Sequence, residues 1–572
     1  MLDYKSEVSQ LLAACSPLSE SEIKELLEIP PQEQMGDYAF PCFRLAKQMK
    51  QNPVEIAQGI KEKIDKQDKE WLAETRLAGP YVNFYIKQGF FAKDVLGDVL
   101  KHGENFGRSQ EGQGKNVIVE YSSPNIAKPF HVGHAFTTIL GQAIANIYDA
   151  LGYHVIRMNH LGDYGTQFGK LIVAWRLWGD EDALEKEPIK ELTRVYVKFH
   201  SQIETQPELE DEAREAFKKL ENKCPEEVHL WQKFRDMSLV EFNRIYERMH
   251  IAFDNYNGES FYSDQIPEVV ECLKEKGLLV ESQGAQVVDL EEFGLNPCII
   301  LKSDGTSIYA SRDLAAILYR ARTYDYYRNI YVVGLPQSNH FQQIFAVLKK
   351  AGFDKADQNV HVGFGTVKFK EGEFSTRKGN IILLEDLLNE SVAKTKKIII
   401  ENNPGMDRSE IEATAEAVGL AAVNYTFLRN SRERDIFFDW SEILDFEGDT
   451  AAYLMYTYAR AQSILQKADR TDLDFNSADF TCLTEAEAFS LLKDIYAYPS
   501  TIVQAAEEYE PSVLMRRIST LARNFNRFYH NTPILKTDDV VLRRARLGLV
   551  QAVAQVLYNG LSIAGIRPVD RM

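Results

Sequence analysis

Cysteine is scarce in this chain: six in 572 residues, at positions 15, 42, 224, 272, 298 and 482, with no Cys-x-x-Cys pair. That spacing argues against both a disulfide framework and a structural zinc site. Long apolar runs are missing too. No stretch approaches the roughly 18 apolar residues needed to span a bilayer, and the first residues lack a basic-then-apolar signal pattern. Internal repeats and low-complexity tracts are absent. Positive charge is in deficit, with 66 Lys and Arg against 84 Asp and Glu and a formal net charge of −18. Any polyanionic partner must therefore be met by a local basic face. What remains is an ordinary globular composition, 45% hydrophobic and too long for a single core. Several domains and a cytoplasmic setting are the plain expectation.

One stretch concentrates the chemistry. Residues 119 to 134 read Val-Glu-Tyr-Ser-Ser-Pro-Asn-Ile-Ala-Lys-Pro-Phe-His-Val-Gly-His. The apolar run Val117 to Val119 predicts a buried strand over 117–121, and the periodic segment Ala135 to Leu151 predicts a helix. His131, Gly133 and His134 then stand where a strand hands over to a helix N-terminus. Backbone N–H groups and the helix dipole favour phosphate there. Gly133 leaves room for a flat ring against the backbone. Two imidazoles three residues apart can reach one phosphate from the same side, an arrangement that suits chemistry on a nucleoside triphosphate. For the string His-x-Gly-His alone, a pair of capping or metal-binding histidines is the plain alternative.

Around this stretch the chain divides by pattern. The polar, glycine-rich loop Gly103 to Gly114 marks a boundary. It is not a phosphate-binding P-loop, because Gln113 stands where that motif needs Lys. Strand 117–121, helix 135–151 and strand Tyr153 to Asn159 predict a βαβ unit and hence a parallel sheet. Residues 180–250 are charged and helical and read as an insertion into it. Strand signals return at Gln286 to Leu290, Cys298 to Leu301, Ile330 to Val333 and Asn359 to Phe369; after about 385 the chain reads as helical to the end. In the segment Ser512 to His530, helical spacing puts Leu514, Ile518, Leu521, Phe525, Phe528 and Tyr529 on one side. Arg516, Arg523 and Arg527 fall together on the other, either as an RNA-backbone contact or as a solvated face on a core helix.

Ser123-Pro124-Asn125-Ile126-Ala127-Lys128 ahead of His131 and His134 resembles the signature of class I aminoacyl-tRNA synthetases, in the form used by the arginyl family. Glu373-Phe-Ser-Thr-Arg-Lys-Gly-Asn380 resembles that family's variant of the second phosphate-binding loop, a mobile element in class I enzymes. Gly36-Asp-Tyr-Ala39 and Gly79-Pro-Tyr-Val-Asn-Phe84 look like its N-terminal domain, and Tyr456-Thr-Tyr-Ala-Arg460 to Met572 like its anticodon-binding domain. The resemblance covers almost the whole chain and leaves mainly 180–250 unmatched. It implies a multidomain α/β fold. A small N-terminal α/β domain would span 1–107, and a Rossmann-like catalytic domain 108–390, with a helical insertion at about 180–260. A helical connective segment, 391–450, and an all-α anticodon-binding domain, 451–572, would follow.

Activating an amino acid on ATP needs no protein nucleophile. It needs the carboxylate aligned with the α-phosphate and the growing oxygen charge neutralised. By resemblance, His131, Gly133, His134, Ser375, Thr376 and Lys378 would bind ATP, with Lys128, Arg377 and Lys378 supplying positive charge to catalysis beside the two histidines. Thr376 stands where most class I enzymes carry the catalytic lysine, and Lys128 is the expected substitute. A guanidinium with five donors is best met by two carboxylates and an aromatic or hydroxyl neighbour. Tyr309 and Asp313, at i and i+4, would share a helix face and, with Glu259, hold the side chain of arginine. Glu120, Ser123, Pro124, Asn125, His134 and Gln337 would serve its backbone end. The resemblance further implies ATP with Mg2+ as substrate, no zinc and no tightly bound cofactor. Arginine and its tRNA complete the partners, with Arg516, Arg523 and Arg527 on the RNA; no membrane association and a monomer are expected. Transfer to the 2′-hydroxyl of the terminal adenosine, and activation that needs tRNA, are implied too. Three alternatives differ in what they require. A cysteinyl-type synthetase would show zinc ligands. A simpler His-x-Gly-His nucleotidyltransferase would not need the helical C-terminal region. A tRNA-binding paralogue without activity would be supported only by Thr376.

Overall fold

The structure is a computed structural model that describes residues 1–303, 305–369, 382–402, 405–445 and 448–572. Its first sheet is antiparallel, in the order β1-β3-β2, from β1 (Tyr38–Pro41), β2 (Leu72–Ala78) and β3 (Tyr81–Ile86). Val82 and Phe84 of β3 are fully buried against helix Pro53–Ile64 and its neighbours, while β2 shows solvent its alternate residues. This N-terminal unit also meets the C-terminal helices. The Tyr4 amide donates to the Tyr496 hydroxyl at 3.0 Å, Lys493 pairs with Asp37 at 3.1 Å, and Phe91 packs edge-on to Phe489.

The central sheet grows from β4 (Asn116–Glu120) and β5 (His154–Met158). After β5 the chain passes through helices and a separate antiparallel sheet of β6 (Leu279–Ser282), β7 (Ala285–Val288) and β8 (Cys298–Leu301). It then returns as β9 (Tyr326–Gly334) and β10 (Asn359–Phe364). β4, β5, β9 and β10 pair in parallel, in the order β10-β9-β4-β5. Val117, Ile118 and Val119 are wholly buried. A continuous β-branched run of this kind suits a strand covered on both faces, each side chain contributing about 1.5–3 kcal/mol by leaving water. Successive strands are laid down on opposite sides of β4, so the crevice between β4 and β9 is a topological switch point. In open α/β sheets, ligands bind beyond the carboxyl ends of the strands at such a point.

Three sequence expectations change here. The strand signals at 286–290 and 298–301 do not join the parallel sheet. β6 and β7 are linked by the pair Gln283-Gly284, both at positive φ (50° and 81°), and a two-residue turn of that kind can join only antiparallel strands. The signal at 359–369 is two strands. The Gly365 amide leaves the sheet for the Arg432 carbonyl, and Asp435 takes the Thr366 amide and hydroxyl, both at 2.9 Å. β11 (Val367–Phe369) then pairs with β12 (Ile436–Phe438), which breaks the all-helical reading of the region after 385.

The helix Val132–Ala150 lies against β4, close enough that a Cβ on Gly141 would overlap the Tyr121 side chain. The insertion is a set of helices, Glu181–Lys186, Pro188–Gln202, Glu208–Glu221 and Pro225–Arg248, two of which start at proline, where the absent N–H costs nothing. The C-terminal region packs helices Ala451–Lys467, Ala486–Glu507, Ser512–Asn531 and Val540–Ile563. On Ser512–Asn531 the aliphatic and phenylalanine side is buried as expected, whereas Tyr529 is exposed and lies 5.1 Å from the Arg460 guanidinium. A phenol at the edge of the stripe keeps its hydroxyl in water while its ring meets a cation. Arg516, Arg523 and Arg527 are all exposed.

Apolar side chains gather in two main clusters. The larger joins the N-terminal unit, the helix Val132–Ala150, the insertion and the C-terminal helices. The second is built from 262–273, β7, β8, the helix Tyr309–Tyr324 and the helix Ser338–Lys350. No described helix is long and apolar enough to cross a membrane. Replacing Gly141→Ala should overpack the contact with Tyr121 and cost about 1–3 kcal/mol; a melting point equal to that of the parent protein would contradict this packing.

Candidate active site

The signature stretch leaves β4 as a strained loop. Ser122, Ser123 and Ala127 all hold positive φ, at 69°, 44° and 59°. Non-glycine residues adopt this conformation at a cost of order 1–3 kcal/mol each, and such strain concentrates at functional sites. The insertion helix Pro225–Arg248 holds the loop in place. The Tyr246 hydroxyl shares a 2.6 Å hydrogen bond with Ser122, and Ser238 Oγ accepts the Ala127 amide at 3.0 Å. Asn125 bridges to Gly162 beyond β5. Ser123 Oγ is buried with no hydrogen-bond partner among the described residues, which leaves a hydroxyl for a ligand to satisfy.

His131 is the N-cap of the helix Val132–Ala150. Its Nδ1 accepts the Gly133 amide at 3.0 Å, while His134 Nδ1 accepts the His131 amide at 3.2 Å. The rings lie 4.0 Å apart, and Phe130 stacks on His134. The flat ring that Gly133 accommodates is that of His131, whose atoms a Cβ there would meet at 2.8 Å. Capping and catalysis are therefore not alternatives. With both Nδ1 atoms accepting, each neutral ring carries its proton on Nε2 and offers it as a donor. Burial holds both rings neutral: it pushes His134 down to about 3, helped by His131 and Lys128, and lowers His131, again with Lys128. No carboxylate among the described residues forms an ion pair with Lys128.

Ser375, Thr376, Arg377 and Lys378 lie outside the described residues. The chain re-enters at Ile382, whose carbonyl accepts the Val132 amide at 3.0 Å, and the Leu384 amide donates to the Phe130 carbonyl at 2.9 Å. The segment that follows the cationic string is thus sewn to the histidine loop itself.

Across the crevice, Tyr309 and Asp313 share the helix Tyr309–Tyr324 as the spacing predicts, and Glu259 opens the short helix Glu259–Ser263. Tyr309 is 59% exposed, leaving its ring free to cover a ligand. Asp313 Oδ2 lies 2.6 Å from His340 Nε2. Burial raises Glu259 to about 7, with Asp313 and Asp163 pushing the same way and Arg312 opposing them. Gln337 is exposed at the end of β9, and Pro124 is buried in the loop. Glu120, expected to serve the backbone end of arginine, has its Oε2 2.5 Å from Nη2 of the fully buried Arg320. Sequence reasoning passed over Arg312, His340 and Asp163. The first two stand close to residues already singled out, one before Asp313 and three after Gln337.

Comparison with known proteins agrees with this geometry. Residues 95–440 match the family model for the catalytic domain of class I (R) tRNA synthetases, 2–86 that for the arginyl tRNA synthetase N-terminal domain, and 454–572 that for the DALR anticodon-binding domain. The chain belongs to the arginyl-tRNA synthetase family. An arginine–tRNA ligase of Clostridium botulinum (strain Alaska E43 / Type E3) is 49% identical over 571 residues, covering 100% of both chains, and one of Clostridium perfringens (strain 13 / Type A) likewise. The arginyl-tRNA synthetase structure of Thermus thermophilus superposes with a TM-score of 0.81 at 25% identity, covering 100% of both chains. That of Plasmodium falciparum, at 24% identity and covering 100% of this chain and 98% of its own, gives 0.82 and speaks to the fold. In this arginyl-tRNA synthetase scaffold the histidine tautomers are open to direct measurement. 15N-histidine NMR should find His131 and His134 as neutral Nε2–H forms at pH 7, with His134 still neutral at pH 5; an imidazolium signal for His134 at pH 5 would refute the burial argument.

Proposed function

We propose that this family member joins the carboxylate of L-arginine to the α-phosphate of ATP, releasing pyrophosphate. It then passes the arginyl group to the 2′-hydroxyl of the terminal adenosine of its tRNA, releasing AMP. The observation that supports the reading is the pair of neutral Nε2–H imidazoles at the helix N-terminus just beyond β4, beside Lys128. His131 and His134 donate to phosphate oxygens at the helix N-terminus. Lys128 neutralises charge that builds on the α-phosphate. Arg377 and Lys378 assist from the adjoining loop, with Ser375 and Thr376 on the nucleotide.

Glu259 and Asp313 receive the guanidinium, and Tyr309 lays its ring over it. Ser123 and Asn125, with Gln337, hold the amino and carboxylate end. A competitor without the guanidinium forgoes its hydrogen bonds to Glu259 and Asp313, which gives discrimination without an editing site. Arg516, Arg523 and Arg527 meet RNA phosphates. Magnesium enters on ATP as part of the substrate, and the enzyme acts as a cytoplasmic monomer.

ATP–pyrophosphate exchange across all twenty amino acids, with and without total tRNA, tests the reading. Exchange with arginine alone, and only when tRNA is present, is the expected result; exchange with another amino acid overturns the pocket assignment. Lys128→Ala should slow exchange about a hundredfold or more, and a near-normal rate would move its role to Arg377 or Lys378.

A further inference from the structure

Arg312 lies between Tyr309 and Asp313 on the same helix and has no role in the reading above. It is only 8% exposed. Its guanidinium carbon sits 4.7 Å above the Tyr309 ring, and its Nε is 3.8 Å from Glu259 Oε2. Nε is buried without a hydrogen-bond partner among the described residues. The neighbouring carboxylates have partners of their own. Asp163 takes the Ser260 amide and hydroxyl at 2.9 and 2.7 Å with Arg235 at 3.5 Å, and Asp313 has His340. For Glu259 that partner is Arg312.

We propose that Arg312 is a positioning residue for arginine recognition, fixing the Glu259 carboxylate and the Tyr309 ring from the buried side of the pocket. The separation of 3.8 Å is decisive. It is too long for a hydrogen bond, so Arg312 lends charge while leaving the Glu259 lone pairs free for the substrate. A second guanidinium nearby also repels the ligand. The balance favours attraction, because Arg312 removal leaves Glu259 buried beside Asp313 and Asp163, where it protonates. Hydrogen bonds to an ionised acceptor are roughly twice as strong as those to a neutral one. The charged and titratable groups facing Glu259 are Arg312 and Asp313 from the helix and Asp163 from the loop after β5; Tyr164 and Glu221 face Arg312 from behind.

The inference rests on Glu259 as a guanidinium acceptor, and the test separates the two claims. KM for arginine and for ATP are measured from pH 6 to 9 in the parent enzyme, Arg312→Gln, Arg312→Lys, Glu259→Gln and the double variant with both Gln substitutions. In the parent, KM for arginine should rise as pH falls below about 7, where Glu259 protonates. Arg312→Gln should raise it about tenfold or more at pH 7, because KM scales inversely with the ionised fraction of Glu259. The loss should shrink above pH 8, with KM for ATP unmoved. Glu259→Gln should remove that pH dependence, and the double variant should be no worse than Glu259→Gln alone. If Glu259→Gln leaves KM for arginine unchanged, the acceptor reading falls and this inference with it. If Glu259→Gln raises it but Arg312→Gln does not, or moves both KM values equally, only the inference falls. Should Arg312→Gln not fold, Arg312→Lys decides. It keeps the charge and loses the planar stack, so the acid limb should stay in place while KM for arginine rises a few-fold; a displaced limb or an unchanged KM overturns the proposal.

Discussion

A single buried guanidinium holds the site together. Arg320 is fully buried, its Nη2 paired with Glu120 and 3.4 Å from His160 Nδ1, with Tyr262 and Tyr331 at 5.7 and 5.4 Å from the guanidinium carbon. Through these neighbours it joins the end of β4, the loop beyond β5, the wall helix Glu259–Ser263, β9 and the helix that carries Tyr309 and Asp313. A charge taken out of water must be paired, and leaving one such partner alone costs about 3–5 kcal/mol. Glu120 therefore has one carboxylate oxygen committed to Arg320. Its position one residue past Val119 fixes how the two walls of the crevice face each other.

Electrostatics on the two walls are set by opposite means. On the histidine side, burial strips charge from the imidazoles and leaves them as directed dipoles, with Lys128 as the separate source of positive charge. On the acidic side, burial works against the charge of the Glu259 carboxyl; Arg312 opposes that effect, yet the group is still raised to about 7. Low dielectric makes both arrangements effective, since dipoles and charges act there without competition from water. The chain's net charge of −18 has no bearing on either wall; local placement decides.

Much of this was legible in the residues, and the gaps have physical causes. The run Val117 to Val119 and the period of 135–151 fixed β4 and its helix, because burial on both faces and a 3.6-residue repeat leave little choice. Tyr309 and Asp313 were placed on one helix face by spacing alone. The antiparallel hairpin at 279–288 was not read, since its turn depends on the positive φ of Gln283, a residue type that gives no such signal. Tyr529 was read as apolar because a helical wheel does not register a cation 5.1 Å away on another helix. The pairing of Glu120 with Arg320 was not legible, because its counter-ion lies 200 positions further along the chain. Arg312 was overlooked inside a motif because a charged residue beside an acid looks like solvent-facing decoration until its burial is known.

The two apolar clusters have a thermodynamic consequence. The N-terminus of the helix Val132–Ala150 is packed into one, and the helix that carries Tyr309 and Asp313 into the other. On the function proposed above, each substrate touches a different cluster, and coupling between their affinities crosses the seam between the two. Binding free energies are reciprocal, so whatever stiffening arginine confers on that seam must return as an equal gain for the nucleotide. Synergy between the two substrates is then a property of the seam rather than of either pocket.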